Sequence, residues 1–393
     1  MENVEQRIRQ AVKDETILGA VLVAKDKSGK LDYHRAFGKR QVKPEEKPME
    51  LDTVLAIASM TKLMTTIAAL QLVERGAVTL DEDVGRHLNV LARQEVVRGF
   101  QPDGTPIAEK RRNPITLRQL LTHSSGVGYD FVHPEINMYK KHHKLPMGKT
   151  INERFGAPLL YQPGEGWSYG GSMDWVGRLV EVLSGLSLED YMKKYIWDPL
   201  GIKDATFWPA TRPQEYRDRQ SAMAIRDSKT GKAVQSRKPI DLGSGLTEAA
   251  GGQGAFITMD DYMKVMHSLL MDDERLLRKD TTEIMFKPQL SPSAKAALLE
   301  SGWAVGVGNF PETNEYDWGL GGILIDGDKH PYRKRNALTW SGAPNLVWFI
   351  DRTAGVCGVF GCQLLPTKDE KVEALIQIFE EGVYNYSTNR IKL

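Results

Sequence analysis

Ser59-Met60-Thr61-Lys62 is the segment whose residue types and spacing could carry covalent chemistry. A serine at a helix start and a lysine three residues on share one helical face. The helix start offers unpaired backbone N–H groups and a partial positive charge. Burial and that field both disfavour an ammonium, so such a lysine can yield its proton and serve as base for the serine hydroxyl. The tetrapeptide alone also fits a plainer arrangement, with Ser59 as a helix N-cap and Lys62 lying along the surface.

Other candidate patterns lack the company their chemistry needs. Gly148-Lys149-Thr150 ends like a phosphate-binding loop, but His143 stands where the first glycine belongs. The glycines at 251–254 and 319–322 do not spell GxGxxG after a strand, so no dinucleotide cofactor is expected. His142 and His143 sit in the charged run 140–144 without an HExxH or CxxC partner, which reads as a solvated loop and not a metal site. Gly166-Trp167-Ser168-Tyr169-Gly170 matches GxSxG, yet turn-forming Pro163-Gly164-Glu165-Gly166 occupies the place of the strand that a nucleophile elbow requires.

The elements that must hold Ser59 follow from periodicity. An apolar run over 53–58 leads into the serine, and 60–75 reads as a helix stopped by Gly76, apolar nearly all round and therefore buried. Residues 3–14 form an amphipathic helix through Val4, Ile8 and Val12. Runs 20–25 and 31–37 make a hairpin. Strand-like runs return at 302–308, 337–340, 346–351 and 355–364, and a helix over 371–383 closes the chain. Between them, 83–237 is loop-rich and helical, clearest at 175–183 and 188–196. The expected architecture is α+β: an antiparallel sheet domain from 1–82 and 238–393, flanked by helices, with a mostly helical domain of 83–237 inserted.

Composition narrows the function class. The 393 residues include 52 Lys and Arg against 51 Asp and Glu, a net charge of +1 that argues against nucleic-acid or membrane-surface binding. The two cysteines, Cys357 and Cys362, supply no disulfide framework and fit packed core thiols in a reducing compartment. The charged first residues lack a signal-peptide core, and no apolar run approaches the roughly 18 residues of a membrane span. A cytoplasmic protein is expected.

Several segments in order resemble one family over nearly the whole chain. Ile57-Ala58-Ser59-Met60-Thr61-Lys62 resembles the active-site serine motif of the class C β-lactamase-like serine hydrolases. Thr122-His123-Ser124-Ser125-Gly126, Tyr161-Gln162-Pro163-Gly164 with the following Tyr169, and Ala250-Gly251-Gly252-Gln253-Gly254 resemble its later landmarks. Trp340-Ser341-Gly342 stands where β-lactamases have lysine-threonine-glycine. That tryptophan, and Gly170-Gly171 after Tyr169, depart from the β-lactamase pattern. They resemble the branch that holds the transesterase of lovastatin biosynthesis and related esterases.

The resemblance implies a β-lactamase/transpeptidase-like fold and roles for named residues. Ser59 would form the acyl-enzyme, with Lys62 and Tyr169 handling its proton. The N–H groups of Ser59 and Ala343 would form an oxyanion hole. Trp340, Ser341, Gly342, Gly170 and Gly171 would bind substrate, although Trp340 also fits a core aromatic. His123 would brace its loop. The implied activity moves an acyl group from a thioester to a hydroxyl of a polyketide-like molecule, without metal or cofactor. A carboxylesterase is the alternative, ahead of a β-lactamase or a non-catalytic receptor. The aromatic supply at Trp167, Trp175, Trp318, Trp340 and Trp348 suggests a large apolar acceptor. Arg333-Lys334-Arg335 could attract an acidic acyl carrier protein bearing the donor.

Overall fold

Strands alternating between two apolar faces build the centre of the molecule. The computed structural model describes residues 1–237, 245–302 and 308–391. Its main sheet contains β1 (Gly19–Asp26), β2 (Asp32–Gln41), β3 (Lys47–Pro48), β4 (Tyr316–Trp318), β5 (Ile323–Ile325), β6 (Leu338–Gly342), β7 (Leu346–Asp351) and β8 (Val356–Gly361). All neighbours are antiparallel, in the order β4-β5-β6-β7-β8-β1-β2-β3. The strand nearest the chain start thus pairs with one near its end, Val21 opposite Gly361 and Val23 opposite Val359.

The two-residue period of β1 sorts its side chains between two cores. Ala20, Leu22 and Ala24 pack with helices α1 (Glu2–Lys13) and α5 (Glu370–Ile391), through Val4, Ile8, Val372 and Phe379. Val21 and Val23 face the opposite core, which holds α2 (Thr61–Glu74), α3 (Ser172–Ser184) and α4 (Met259–Met271). Every residue of α2 from Thr61 to Leu72 is buried, as its all-round apolar pattern requires. The architecture is the β-lactamase/transpeptidase-like sheet flanked by helices that the resemblance implied.

Several local expectations shift. The run 355–364 does not continue as one strand: β8 stops at Gly361, and Leu364–Leu365 pairs in parallel with Ala224–Arg226. The helix starting at Leu188 widens into a π-turn over Lys193–Trp197. Between 83 and 237 lie two hairpins absent from the sequence reading, Val96–Phe100 with Pro106–Glu109 and Ala224–Arg226 with Ala233–Gln235. Their strands are at most five residues long and partly exposed, too short for a clear period. The expected strand over 302–308 falls largely on 303–307, outside the described residues.

Candidate active site

Ser59 sits in a single 3-10 turn, Ala58–Met60, immediately before α2. The turn is pinned from several sides. Val54–Ala56 pairs with Phe256–Thr258, and the Ile57 N–H donates to Ala255 O at 3.1 Å. The Thr61 hydroxyl donates to Ala58 O at 2.7 Å and accepts from the Ala255 N–H at 3.1 Å, while the Tyr262 hydroxyl donates to Met60 O at 2.9 Å. Held this way, buried Ala58 adopts a φ of 46°, a left-handed conformation that costs a non-glycine residue energy and concentrates at functional sites. Ser59 is not the N-cap of α2: that position falls on Met60, with no side-chain cap.

Lys62 is 2% exposed and donates to Ser59 Oγ at 3.2 Å and to Gly252 O at 2.7 Å. The surface alternative for this lysine is therefore ruled out. The Tyr169 hydroxyl donates to the same Ser59 oxygen at 2.7 Å, and Lys62 Nζ lies 4.7 Å above the Tyr169 ring. Trp340 Nε1 donates to the Tyr169 hydroxyl at 3.3 Å. One serine oxygen is thus shared by an ammonium and a phenol, and the phenol is itself held by an indole. Once the Lys62–Tyr169 pair has lost a proton, a proton leaving Ser59 has an acceptor within one hydrogen bond.

β6 ends beside the serine turn. A Cβ on Gly342 would lie 2.4 Å from Ile57 O, so only glycine lets this strand approach so closely. That contact brings the Ser341–Gly342 end of β6 against the segment carrying Ser59, with Ala343 following in the turn to β7. Gly170 is equally confined, its Cβ position 2.0 Å from Val127 O. Gly171 begins α3 against the Phe155 ring. Gly170 is thus packed against backbone and Gly171 against a ring.

Three partners lie beneath the site, and two of them, Asp174 and Tyr129, carry no sequence signal strong enough to single out their roles. Asp174 is fully buried in the first turn of α3, where its Oδ2 accepts from the Tyr129 hydroxyl at 3.1 Å and its Oδ1 from the Gly252 N–H at 3.0 Å. Burial pushes its carboxyl up, opposed by the Lys62 charge and these hydrogen bonds. Tyr129 is held well above the usual phenol range by burial and then by Asp174. His123 packs 4.7 Å from the Tyr169 ring, takes a φ of 59°, and accepts at Nδ1 from the Gly170 N–H at 3.4 Å. Burial, then the Lys62 charge, holds it well below the usual imidazole range, so it is neutral and braces the Tyr169 loop.

Two expectations need correction. Arg333 is not a surface cation: its side chain is fully enclosed and paired with Glu380 at 2.7 Å. Lys334 and Arg335 are exposed, Arg335 reaching Asp328 at 3.3 Å, so 333–335 presents two surface cations and not three. Burial favours a paired arginine at 333, and only tertiary structure reveals its partner. Trp175, Trp318 and Trp348 are wholly enclosed in the core, and Trp318 lies between Trp167 and Trp340, beside His123, while Trp340 packs against Tyr169. Ser168 of the GxSxG match is buried against His133, Oγ to Nε2 2.6 Å, and the nearest helix starts only at Ser172. Cys357 and Cys362 are free and buried, and burial pushes the Cys362 thiol up to about 12. Among the described residues no helix is long and apolar enough to cross a membrane.

Comparison with known proteins matches this geometry to a lineage. A family model described as beta-lactamase matches residues 4–382. The monacolin J acid methylbutanoyltransferase of Aspergillus terreus is 39% identical, across 97% of this chain and 95% of that protein. The lovastatin esterase of Penicillium rubens is 40% identical, across 97% and 98%. A mutant of simvastatin synthase from Aspergillus terreus superposes with a TM-score of 0.92 at 38% identity, covering 99% of this chain and 97% of that one.

Proposed function

The chain belongs to the β-lactamase family, and from that membership we propose that it is a serine acyltransferase moving an acyl group from a thioester to a hydroxyl of a polyketide-like small molecule. The observation that carries the reading is the Ser59 oxygen held 3.2 Å from Lys62 Nζ and 2.7 Å from the Tyr169 hydroxyl.

The steps follow from that arrangement. The Lys62–Tyr169 pair first gives up one proton. Ser59 Oγ then attacks the thioester carbonyl while its own proton passes to the Tyr169 oxygen, with the Lys62 ammonium stabilising the phenolate. Backbone N–H groups of Ser59 and Ala343 would hold the resulting oxyanion. Cleavage of the C–S bond sends the proton from Tyr169 to the departing thiolate and leaves acyl-Ser59. An acceptor alcohol loses its proton to Tyr169 as it attacks, and Ser59 recovers it when the ester leaves. Trp340, Ser341 and Gly342, with Gly170 and Gly171 opposite, are read as the walls of the acyl site. Ser59 and Lys62 come from the proposed sheet domain (1–82 and 238–393) and Tyr169 from the helical one (83–237), so the reacting groups meet where the two join.

Hydrolysis, with water replacing the alcohol, is the second reading, favoured by the esterase named among the relatives. A carrier-borne donor remains part of the proposal, relocated from 333–335. Exposed Lys141, Lys144 and Lys149 lie in a segment that begins at Phe131, and Phe131 stacks 4.8 Å from Tyr129 beside the site. An acidic carrier would find both charge and an apolar contact there.

Intact-mass measurement after incubation with acyl thioesters of graded length tests nucleophile and donor together. An adduct confined to the Ser59 peptide, discharged by monacolin J acid faster than by water, is the expected result. An adduct on Ser168, or none on Ser59, overturns the assignment; equal discharge by water favours the esterase.

A further inference from the structure

We propose that Asp174 is the buried counter-charge of Lys62 and a positioning residue that governs the pH at which the Ser59 site becomes active, an inference that rests on the reading of Ser59, Lys62 and Tyr169 given above. An isolated buried carboxylate is costly, and Asp174 has no exposure to water, so its partners must account for it. They lead to the lysine. Gly252 presents its N–H to Asp174 Oδ1 at 3.0 Å and its C=O to Lys62 Nζ at 2.7 Å, so one residue bridges carboxylate and ammonium. The Tyr129 hydroxyl donates to Asp174 Oδ2 at 3.1 Å, and Lys62 Nζ lies 5.9 Å from the centre of the same ring. The bridge leaves no spare room: a Cβ on residue 252 would stand 2.7 Å from Asp174 Oδ2 and 2.9 Å from the Tyr129 hydroxyl.

Among the described residues, the titratable groups around this cluster are few. Lys62 comes from α2, His123 and Tyr129 from the 122–129 loop, and Tyr169 and Asp174 from the approach and first turn of α3. The 250–254 segment brings none, and β6 contributes the uncharged Trp340. His123 is neutral and Tyr129 is held un-ionised. Asp174 is therefore the acid that faces Lys62.

The sign of its effect is set by charge. The Lys62–Tyr169 pair becomes competent on losing one proton, going from net +1 to net zero. A neighbouring carboxylate favours the +1 state and raises the pH of that loss. Asp174→Asn keeps the size and removes the charge: its carbonyl oxygen can still accept from the Gly252 N–H, while its amide NH2 donates to the Tyr129 hydroxyl, which turns from donor to acceptor. The acid limb of the kcat/KM profile should then move about one unit towards lower pH, while the plateau falls about tenfold as Lys62 loses its anchor. Tyr129→Phe keeps the charge, so it should lower the plateau and leave the limb in place. Unmoved limbs in both variants, or equal shifts in both, overturn the proposal.

Infrared difference spectroscopy supplies a readout that needs neither activity nor a folded Asp174 variant. Replacing Lys62 with Met should leave Asp174 without its counter-charge, and a protonated carboxyl C=O stretch should appear at neutral pH that wild type lacks. No new band in Lys62→Met, or the same band already in wild type, overturns the counter-charge role. Retained activity in Ser59→Ala would instead refute the nucleophile assignment and leave the infrared result standing.

Discussion

At the scale of single residues, the site is a set of short hydrogen bonds converging on one oxygen. Ser59→Ala should leave at most a trace of turnover in purified protein, because no other described hydroxyl is shared by Lys62 and Tyr169. Lys62→Ala and Tyr169→Phe should each lower kcat/KM by about 10³-fold or more, and the double variant should fall little further, since the two act as one proton-handling unit. Multiplicative loss in the double variant would disprove that coupling. Trp340→Phe removes the indole N–H that holds the Tyr169 hydroxyl but keeps a ring there. A loss of about tenfold in kcat is expected. Ser59 and Lys62 were readable because their relation is local, three positions on a helix. Asp174 and Tyr129 were not, because their roles arise from contacts between segments 45 residues apart in sequence.

Elements fix the distances that residues exploit. Gly342→Ala would force β6 away from Ile57, so it should reduce kcat about 100-fold or more and destabilise the fold by roughly 1–3 kcal/mol. Rate and denaturation measured on one preparation check both effects. Another element-level clamp joins α4 to β2. His34 Nδ1 pairs with Asp260 and Nε2 with Asp32, both at 2.8 Å. The Asp260 contact first, then Asp32, raises its pKa against partial burial. A raised folded-state value stabilises the protein fully below the unfolded imidazole value and loses that advantage as pH rises through the folded one. His34→Gln should therefore narrow the stability gap between pH 5.5 and pH 8, as read by urea titration at each pH. Helix α1 was legible from its amphipathic period, and α2, β1 and β7 from continuous apolar runs. The hairpins at 96–109 and 224–235 are short and polar, and their pairing depends on tertiary neighbours such as Leu364.

Across the whole molecule, the ordered motifs predicted the fold, while long-range partners of individual charges stayed hidden. Arg333 shows the difference: in sequence it belongs to a basic run, yet in the fold it is sealed against Glu380 of α5. Arg333→Met should cost about 3–5 kcal/mol by stranding that carboxylate, and adding Glu380→Leu should recover much of the loss. Urea unfolding of the single and double variants checks this, and an additive loss would refute it. The pairing of β1 with β8 has a consequence for the time course of synthesis. β8 is the seam between the three strands made first and the five made last, so the sheet stays in two pieces until residue 361 has left the ribosome. Until then β1 waits without the strand that pairs with it. Such sequence-distant pairing makes folding slow and leaves nascent chains prone to aggregate. Chains released before residue 356 should accordingly be insoluble without chaperones, whatever the state of Ser59.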